Sequence, residues 1–271
     1  MPPLWFVIIS ILIMLVLFLA WRLVRSRGWK QIQLRKAAKL AALGRTGEMI
    51  EFLKRNMNRK NVSDPLTNAL VYYYIKAGQY DEAESIINKA IEKGDDSAMA
   101  LAQLGYVSGG RKDHGKAEAY YREALLRDDS LKPTMNMNIA GMLIEMGERL
   151  DEAEELLKEA LELRDGSTRS GIHTNLAMLY IKKKMPVEAR VQAMTAYELI
   201  PSGNMIFNGS RANALAIASR ACTMQGEKEE ASKLASKALK LVEDIPGMDR
   251  FVRELKHMIK GNNSTGEKQL I

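Results

Sequence analysis

Ten alanines constrain this chain more than any other feature. Ala83, Ala117, Ala153, Ala189 and Ala231 recur at separations of 34, 36, 36 and 42 residues, and each is followed seven positions later by a second alanine: Ala90, Ala124, Ala160, Ala196 and Ala238. Seven residues are about two turns of α-helix, so the two alanines of a pair share one face. Small side chains there let a neighbouring helix come close, and a bulky residue between them (Ile87, Tyr121, Leu157) fills the remaining gap. Ahead of each pair lies a second apolar segment and a turn. The chain is therefore expected to fold as repeated helix–turn–helix units. One such unit cannot bury its own apolar face, so the units must stack on one another.

The N-terminus is a different kind of segment. Leu4 to Trp21 holds no charged residue and one polar one, Ser10. Eighteen helical residues reach about 27 Å, close to the hydrocarbon thickness of a bilayer. Trp5 and Trp21 flank the stretch, where indole rings favour a membrane interface. Arg22, Arg25, Arg27 and Lys30 follow at once. A cleaved signal peptide has its positive charge before the apolar core, and here the order is reversed. Residues 22–60 carry twelve Lys or Arg against Glu48 and Glu51, +10 of a whole-chain +7, which leaves −3 for the rest. Basic residues beside a span stay on the cytoplasmic side. The expectation is a single-pass anchor of the cell (inner) membrane, N-terminus outside and residues 22–271 in the cytoplasm, its basic strip beside anionic lipid. Aromatic residues are not interleaved with those charges, so no nucleic-acid partner is expected.

Composition adds little chemistry. Cys222 is the lone cysteine, so no intramolecular disulfide forms. His114, His173 and His257 are far apart and fall on different units. No catalytic set, metal-ligand spacing, phosphate-binding loop or nucleophile elbow occurs, so neither an enzyme nor a cofactor or metal site is expected. Cys222 reads as a packing residue. Asp81-Glu82, Asp151-Glu152 and Glu229-Glu230 precede the packing alanines and suit the N-terminal dipole of each second helix.

The repeated residues resemble the tetratricopeptide repeat family. The first unit carries Gly78, Tyr80, Ala83, Ile87 and Ala90, and the second Leu104, Gly105, Ala117, Tyr121 and Ala124. The third has Gly141, Ala153, Leu157 and Ala160; the fourth Ala177, Tyr180, Ala189, Ala196 and Pro201; the fifth Gly226, Ala231 and Ala238. Gly109-Gly110 and Ala235 depart from the family pattern. The resemblance implies an all-α, right-handed superhelical solenoid with a C-terminal capping helix, preceded here by one transmembrane helix. Its expected divisions are an anchor and basic segment at 1–29 and a divergent repeat-like unit at 30–63 with Ala37, Leu40, Gly44 and Leu53. Five units follow at 64–97, 98–131, 134–167, 170–203 and 212–245, then a capping helix at 246–260 and a disordered tail at 261–271. An extra loop, PSGNMIFNGS, precedes the fifth unit and reads as a simple insertion.

The resemblance also implies a binding groove along the first helix of each unit. Its register names Asn68, Tyr72, Lys76, Tyr106, Asn138, Met142, Met146, Thr174, Met178, Lys182, Arg220 and Met224. Methionines give an adaptable apolar floor for a peptide, and Lys76, Lys182 and Arg220 suit acidic groups. The layout is similar to that of bacterial envelope-assembly adaptors. The expected function is a membrane-anchored scaffold that binds a protein or peptide in its groove. The alternative is a regulatory subunit of an integral-membrane enzyme or envelope-assembly complex, contacting it through the transmembrane helix.

Overall fold

The computed structural model describes residues 4–57, 62, 64–95, 97–163 and 168–263. Among these there are thirteen α-helices and no strand. Helix α1 spans Leu4–Ala42 and α2 Thr46–Asn56. Paired helices follow: α3 (Pro65–Lys76) with α4 (Tyr80–Ile91), α5 (Ala98–Gly110) with α6 (His114–Arg127), and α7 (Lys132–Met146) with α8 (Leu150–Glu162). Then come α9 (Thr168–Lys182) with α10 (Pro186–Leu199), α11 (Asn208–Met224) with α12 (Lys228–Val242), and a final α13 (Asp249–Asn263).

The turns explain why the helices pair. One residue in left-handed conformation ends the first helix of each unit: Gly44, Gly78, Lys112, Gly147, Lys184 and Gly226. At Gly78 the chain closes with Gly78 N donating to Ile75 O at 3.0 Å and Gln79 N to Tyr74 O at 2.9 Å. Such a reversal stops the helix and lays the next one antiparallel to it. Among the described helices, α3, α5 and α6 start at a side-chain cap. Asp64 accepts from Leu66 N and Thr67 N at 3.2 and 3.4 Å, ahead of a first-turn Pro65, and Ser97 accepts from Ala100 N at 3.3 Å.

All ten alanines are buried, none more than 1% exposed. Two glycines show how tight the packing is. A Cβ on Gly105 would come within 2.5 Å of the Tyr121 ring, and one on Gly110 within 2.3 Å of the Tyr80 ring. The glycine that departs from the family pattern therefore makes room for the tyrosine of the preceding unit. Outside, cations in the turns reach back one unit: Arg111 to Asp81 and Glu84, Arg149 to Glu118, and Lys183 to Asp151 and Glu154. Pairs at the surface contribute about 0–1 kcal/mol each; Lys183 and Glu154 are half-buried.

The two ends of the array meet. Gly44 lies against Pro246, in the loop between α12 and α13, and a Cβ on Gly44 would stand 2.4 Å from that of Pro246. The loop expected as a simple insertion forms a 3-10 turn at Met205–Phe207, capped by Asn204, and lies against α1. At the C-terminal end Leu255 of α13 is fully buried, with Phe251 and Met258 packed on the last apolar cluster. Helix α13 runs through Gly261, which has no left-handed turn to stop it, so three residues expected in the tail are helical. The rest of the expected tail, residues 264–271, lies outside the described residues.

The expected boundary between residues 29 and 30 falls inside α1, which continues without a break into the first unit. Among the described residues no helix is long and apolar enough to cross a membrane. The side chains of residues 1–11, 17, 19, 20 and 23–27, which include much of the expected span with Trp5, Arg25 and Arg27, lie outside them. Those described at Leu12, Ile13, Met14, Leu15 and Val16 are 52–66% exposed.

Candidate functional site

A cavity of about 1000 Å³ opens in the N-terminal half of the solenoid. Its wall comes from the first helix of successive units: Leu34, Ala37 and Ala38 of α1; Asn68, Tyr72, Tyr73 and Lys76 of α3; Met99, Gln103 and Tyr106 of α5; and Thr134, Met135, Met137 and Asn138 of α7. Stacked units present the same face of these helices side by side, which is why residues about one unit apart in sequence share a wall.

The polar groups on this wall fall into two kinds. Some are joined across units: Asn138 Nδ2 donates to the Tyr106 hydroxyl at 2.7 Å, and Asn68 Nδ2 points to Met99 Sδ at 3.6 Å. Tyr106 also packs edge-on against Tyr121, with ring centroids 5.6 Å apart, and burial pushes its hydroxyl pKa up. Gln103 is the exception. It is 3% exposed, and neither its Oε1 nor its Nε2 has a hydrogen-bond partner. A buried polar group left unpaired costs about 1–3 kcal/mol. Among the lining residues Lys76 is the one charged side chain; its Nζ stands 5.7 Å from the Tyr72 ring centroid, and no carboxylate lines the wall. The surface is apolar, mildly positive and supplied with one unpaired amide.

Five of the expected groove residues come together here: Asn68, Tyr72, Lys76, Tyr106 and Asn138. Met142 does not join them, because its side chain is turned into the core between units. Met146 is exposed at the end of α7, and Thr174 Oγ1 donates back to Ser170 O at 2.8 Å. Met178, Lys182 and Met224 are exposed on α9 and α11, away from the cavity, and Arg220 is paired with Glu254 of the capping helix. Register alone overlooked Met99 and Gln103. Their signal is present in the sequence, since Met99, Gln103 and Tyr106 fall at i, i+4 and i+7 on one face of α5.

Of the basic residues expected beside lipid, Arg22 is exposed. Lys30 instead forms an ion pair with Asp64, the buried cap of α3. The charge nearest the first unit thus ties α1 to the repeat array. Among the described residues no group of His, Cys, Asp or Glu has metal-binding geometry. His173 is buried with Nδ1 2.6 Å from Gln192 Oε1, and Cys222 is buried, its thiol pKa pushed up by desolvation.

Known proteins agree with this architecture. A tetratricopeptide repeat family model matches residues 68–92. The type IV pilus assembly protein PilF of Pseudomonas aeruginosa is 31% identical over 117 residues, 43% of this chain and 46% of that protein, so the chain matches less than half of that relative's length. In the crystal structure of the Cut9–Hcn1 hetero-tetramer of APC/C, one chain superposes with a TM-score of 0.69 at 13% identity, over 87% of this chain and 43% of that one. A tetratricopeptide-repeat protein of Thermus thermophilus superposes with a TM-score of 0.57 at 16% identity, over 70% of this chain and 96% of its own. The chain therefore has the tetratricopeptide-repeat fold, with one repeat matched outright at residues 68–92.

Proposed function

We propose that this protein is a membrane-anchored scaffold that holds a protein or peptide partner in the cavity between α1, α3, α5 and α7, at the cytoplasmic face. The observation that carries the binding half is the buried, unpaired amide of Gln103 in a mostly apolar wall that includes three tyrosines and three methionines. A folded protein retains an unsatisfied buried group at a cost, and one in the wall of an apolar cavity is a polar group a ligand can satisfy.

The anchoring half rests on α1. Its first turns are uncharged in sequence, and Leu12 to Val16 are exposed though five consecutive helical residues point to every side. An apolar helix bare on all faces suits lipid rather than water. Continuity of α1 into the first unit gives the anchor no flexible joint, and the Lys30–Asp64 pair stiffens the link. In this reading the helix sets both the distance and the angle at which the cavity meets its partner. The likeness to a pilus assembly protein supports a component of an envelope assembly as the partner.

A photoreactive residue in place of Tyr106, in membranes of the native host, tests the reading. A distinct crosslinked species that is lost when Lys76 and Tyr72 are both changed to Ala is the expected result. Identical products from Tyr106 and from Leu126 on the outer surface end the groove reading. Release of the whole chain from membranes by alkaline carbonate ends the anchor.

A further inference from the structure

We propose that the outer face of α13 is a second interface, apart from the cavity, and that it takes an acidic helix of a protein partner laid along its length.

Arg250, Arg253, His257 and Lys260 fall at i, i+3, i+7 and i+10 of α13, with Lys256 beside them. That spacing puts them on one face, about 15 Å long. All five are exposed, because Phe251, Leu255 and Met258 turn the other side of the helix into the last apolar cluster. Elsewhere on the array outward cations are met by carboxylates of a neighbouring unit, as Arg149 is by Glu118 and Arg190 by Glu227. On α13 they are not. Its Glu254 is turned to Arg220, and among the described residues no carboxylate pairs with any of the five. Asp249 is the single acid on this arc, at its start. Arg253 with Lys256, and Lys256 with Lys260, are like-charged neighbours, which costs a helix about 0.2–0.5 kcal/mol a pair. An acidic surface laid over them removes that cost.

Lipid, nucleic acid and protein all carry such charge, and the fold separates them. With α1 as the anchor proposed above, Ala42 stands 21 positions beyond Trp21, about 32 Å along the helix. The loop into α13 meets this end of α1, through Pro246 and Gly44. Helix α13 has 15 residues, about 22 Å, so even turned straight back it stops about 10 Å from the bilayer, beyond a Debye length of ~8 Å. Single-stranded nucleic acid is held where aromatic rings among the cations stack on the bases, and the one ring of α13, Phe251, is packed inward. A protein helix fits what remains. Val252 and Ile259, seven residues apart, lie half-buried along one border of the stripe and offer an apolar strip beside the charges that set orientation. Among the described residues no helix follows α13, whereas α11 is flanked by α10 and α12. A partner helix with a carboxylate every three or four residues lies there as the next helix of an array would.

The test uses the full chain in phosphatidylcholine nanodiscs and a labelled, capped, fifteen-residue helical peptide with Glu at i, i+3, i+7 and i+10 and Leu along the border. A control peptide has the same composition with its Glu residues spread around the helix. Binding is followed by fluorescence anisotropy. The striped peptide is expected to bind about tenfold or more tighter than the control. Arg253→Glu with Lys260→Glu is expected to abolish that preference without lowering the melting temperature, since both residues are exposed. Lys89→Glu, exposed on α4, is expected to leave it unchanged. Equal affinity for the two peptides, no binding of either, indifference to the α13 reversals, or an equal loss from Lys89→Glu overturns the inference. Capture of phosphatidylglycerol vesicles or poly(U) RNA in the peptide's place, lost with the same reversals, overturns it too and gives the stripe to lipid or nucleic acid. Loss of the striped peptide with Tyr72→Ala and Lys76→Ala places it in the cavity, which overturns the inference and leaves the groove reading standing.

Discussion

The two halves of the solenoid use opposite side chains at the same structural position. Between the paired alanines of the second helix, the first three units place Ile87, Tyr121 and Leu157, whereas the last two place Ala193 and Ala235; all five are buried. The first helices differ in the same sense. Helix α3 carries Tyr72, Tyr73 and Tyr74, while α11 buries Ala212, Ala214, Ala216, Ala218 and Ala221. Small residues let α9 to α12 approach closely along their lengths. The cavity lies between α1, α3, α5 and α7, and every residue lining it comes from the N-terminal half. One repeat motif thus yields a half that encloses the cavity and a half whose second helices carry alanine at all three positions.

The comparison breaks most sharply by exchanging those volumes. Leu157→Ala removes a fully buried side chain from the bulky half and is expected to cost about 2–5 kcal/mol in a urea titration, the usual range for a core leucine. Ala235→Leu does the reverse in the compact half and is expected to cost about 1–3 kcal/mol, by forcing apart helices that alanine had let close. If Ala235→Leu proves neutral, the compact half has slack there, and alanine is not what sets the helix spacing.

The halves join where Lys183, in the turn after α9, reaches back to α8, and that joint is sensitive to acid. Glu154 is held down to about 2, from an ordinary value near 4.5, by its hydrogen bond to Lys158 and then by those to Lys183 and Tyr180. A carboxylate whose folded value is depressed adds stability above its unfolded value and loses it as pH falls toward the folded one. The melting temperature is therefore expected to drop as pH is lowered from about 4.5 toward 2, with a surface-pair contribution of about 1 kcal/mol at most. Glu154→Gln is expected to flatten that limb. An unchanged limb places the acid sensitivity elsewhere.

Much of this was legible in the sequence. The alanine pairs are all buried as their spacing demands, because a helix face is a local property that survives any stacking. Five cavity residues were legible for the same reason, since register fixes which way a side chain leaves its helix. Gln103 was not, because register does not report an amide's failure to find a partner; that depends on everything packed around it. Met142 lies in groove register yet points into the core, as a flexible side chain takes whichever space its neighbours leave. The meeting of Gly44 with Pro246, and of the 205–207 turn with α1, depends on the accumulated curvature of the whole array, which no single repeat encodes.

The smallest expected effect compares one turn in each half. Lys112 and Lys184 both adopt a left-handed backbone, φ 65° and 58°, where four other units of the array use glycine. A side chain in that conformation costs about 1–2 kcal/mol. Glycine removes that cost but gives the unfolded chain more freedom, which returns about 0.4–1 kcal/mol. Lys184→Gly is therefore expected to stabilise by somewhat under 1 kcal/mol, seen as a higher urea midpoint at unchanged slope. Lys112→Gly should gain less, since Lys112 also pairs with Glu145 of the following unit and that contact is lost with the side chain. Equal gains would mean the Lys112–Glu145 pair contributes nothing, as many exposed pairs do. A loss at Lys184 would mean that its backbone is held by the turn's hydrogen bonds, Lys184 N to Ile181 O at 3.2 Å and Met185 N to Tyr180 O at 2.8 Å, at no steric cost.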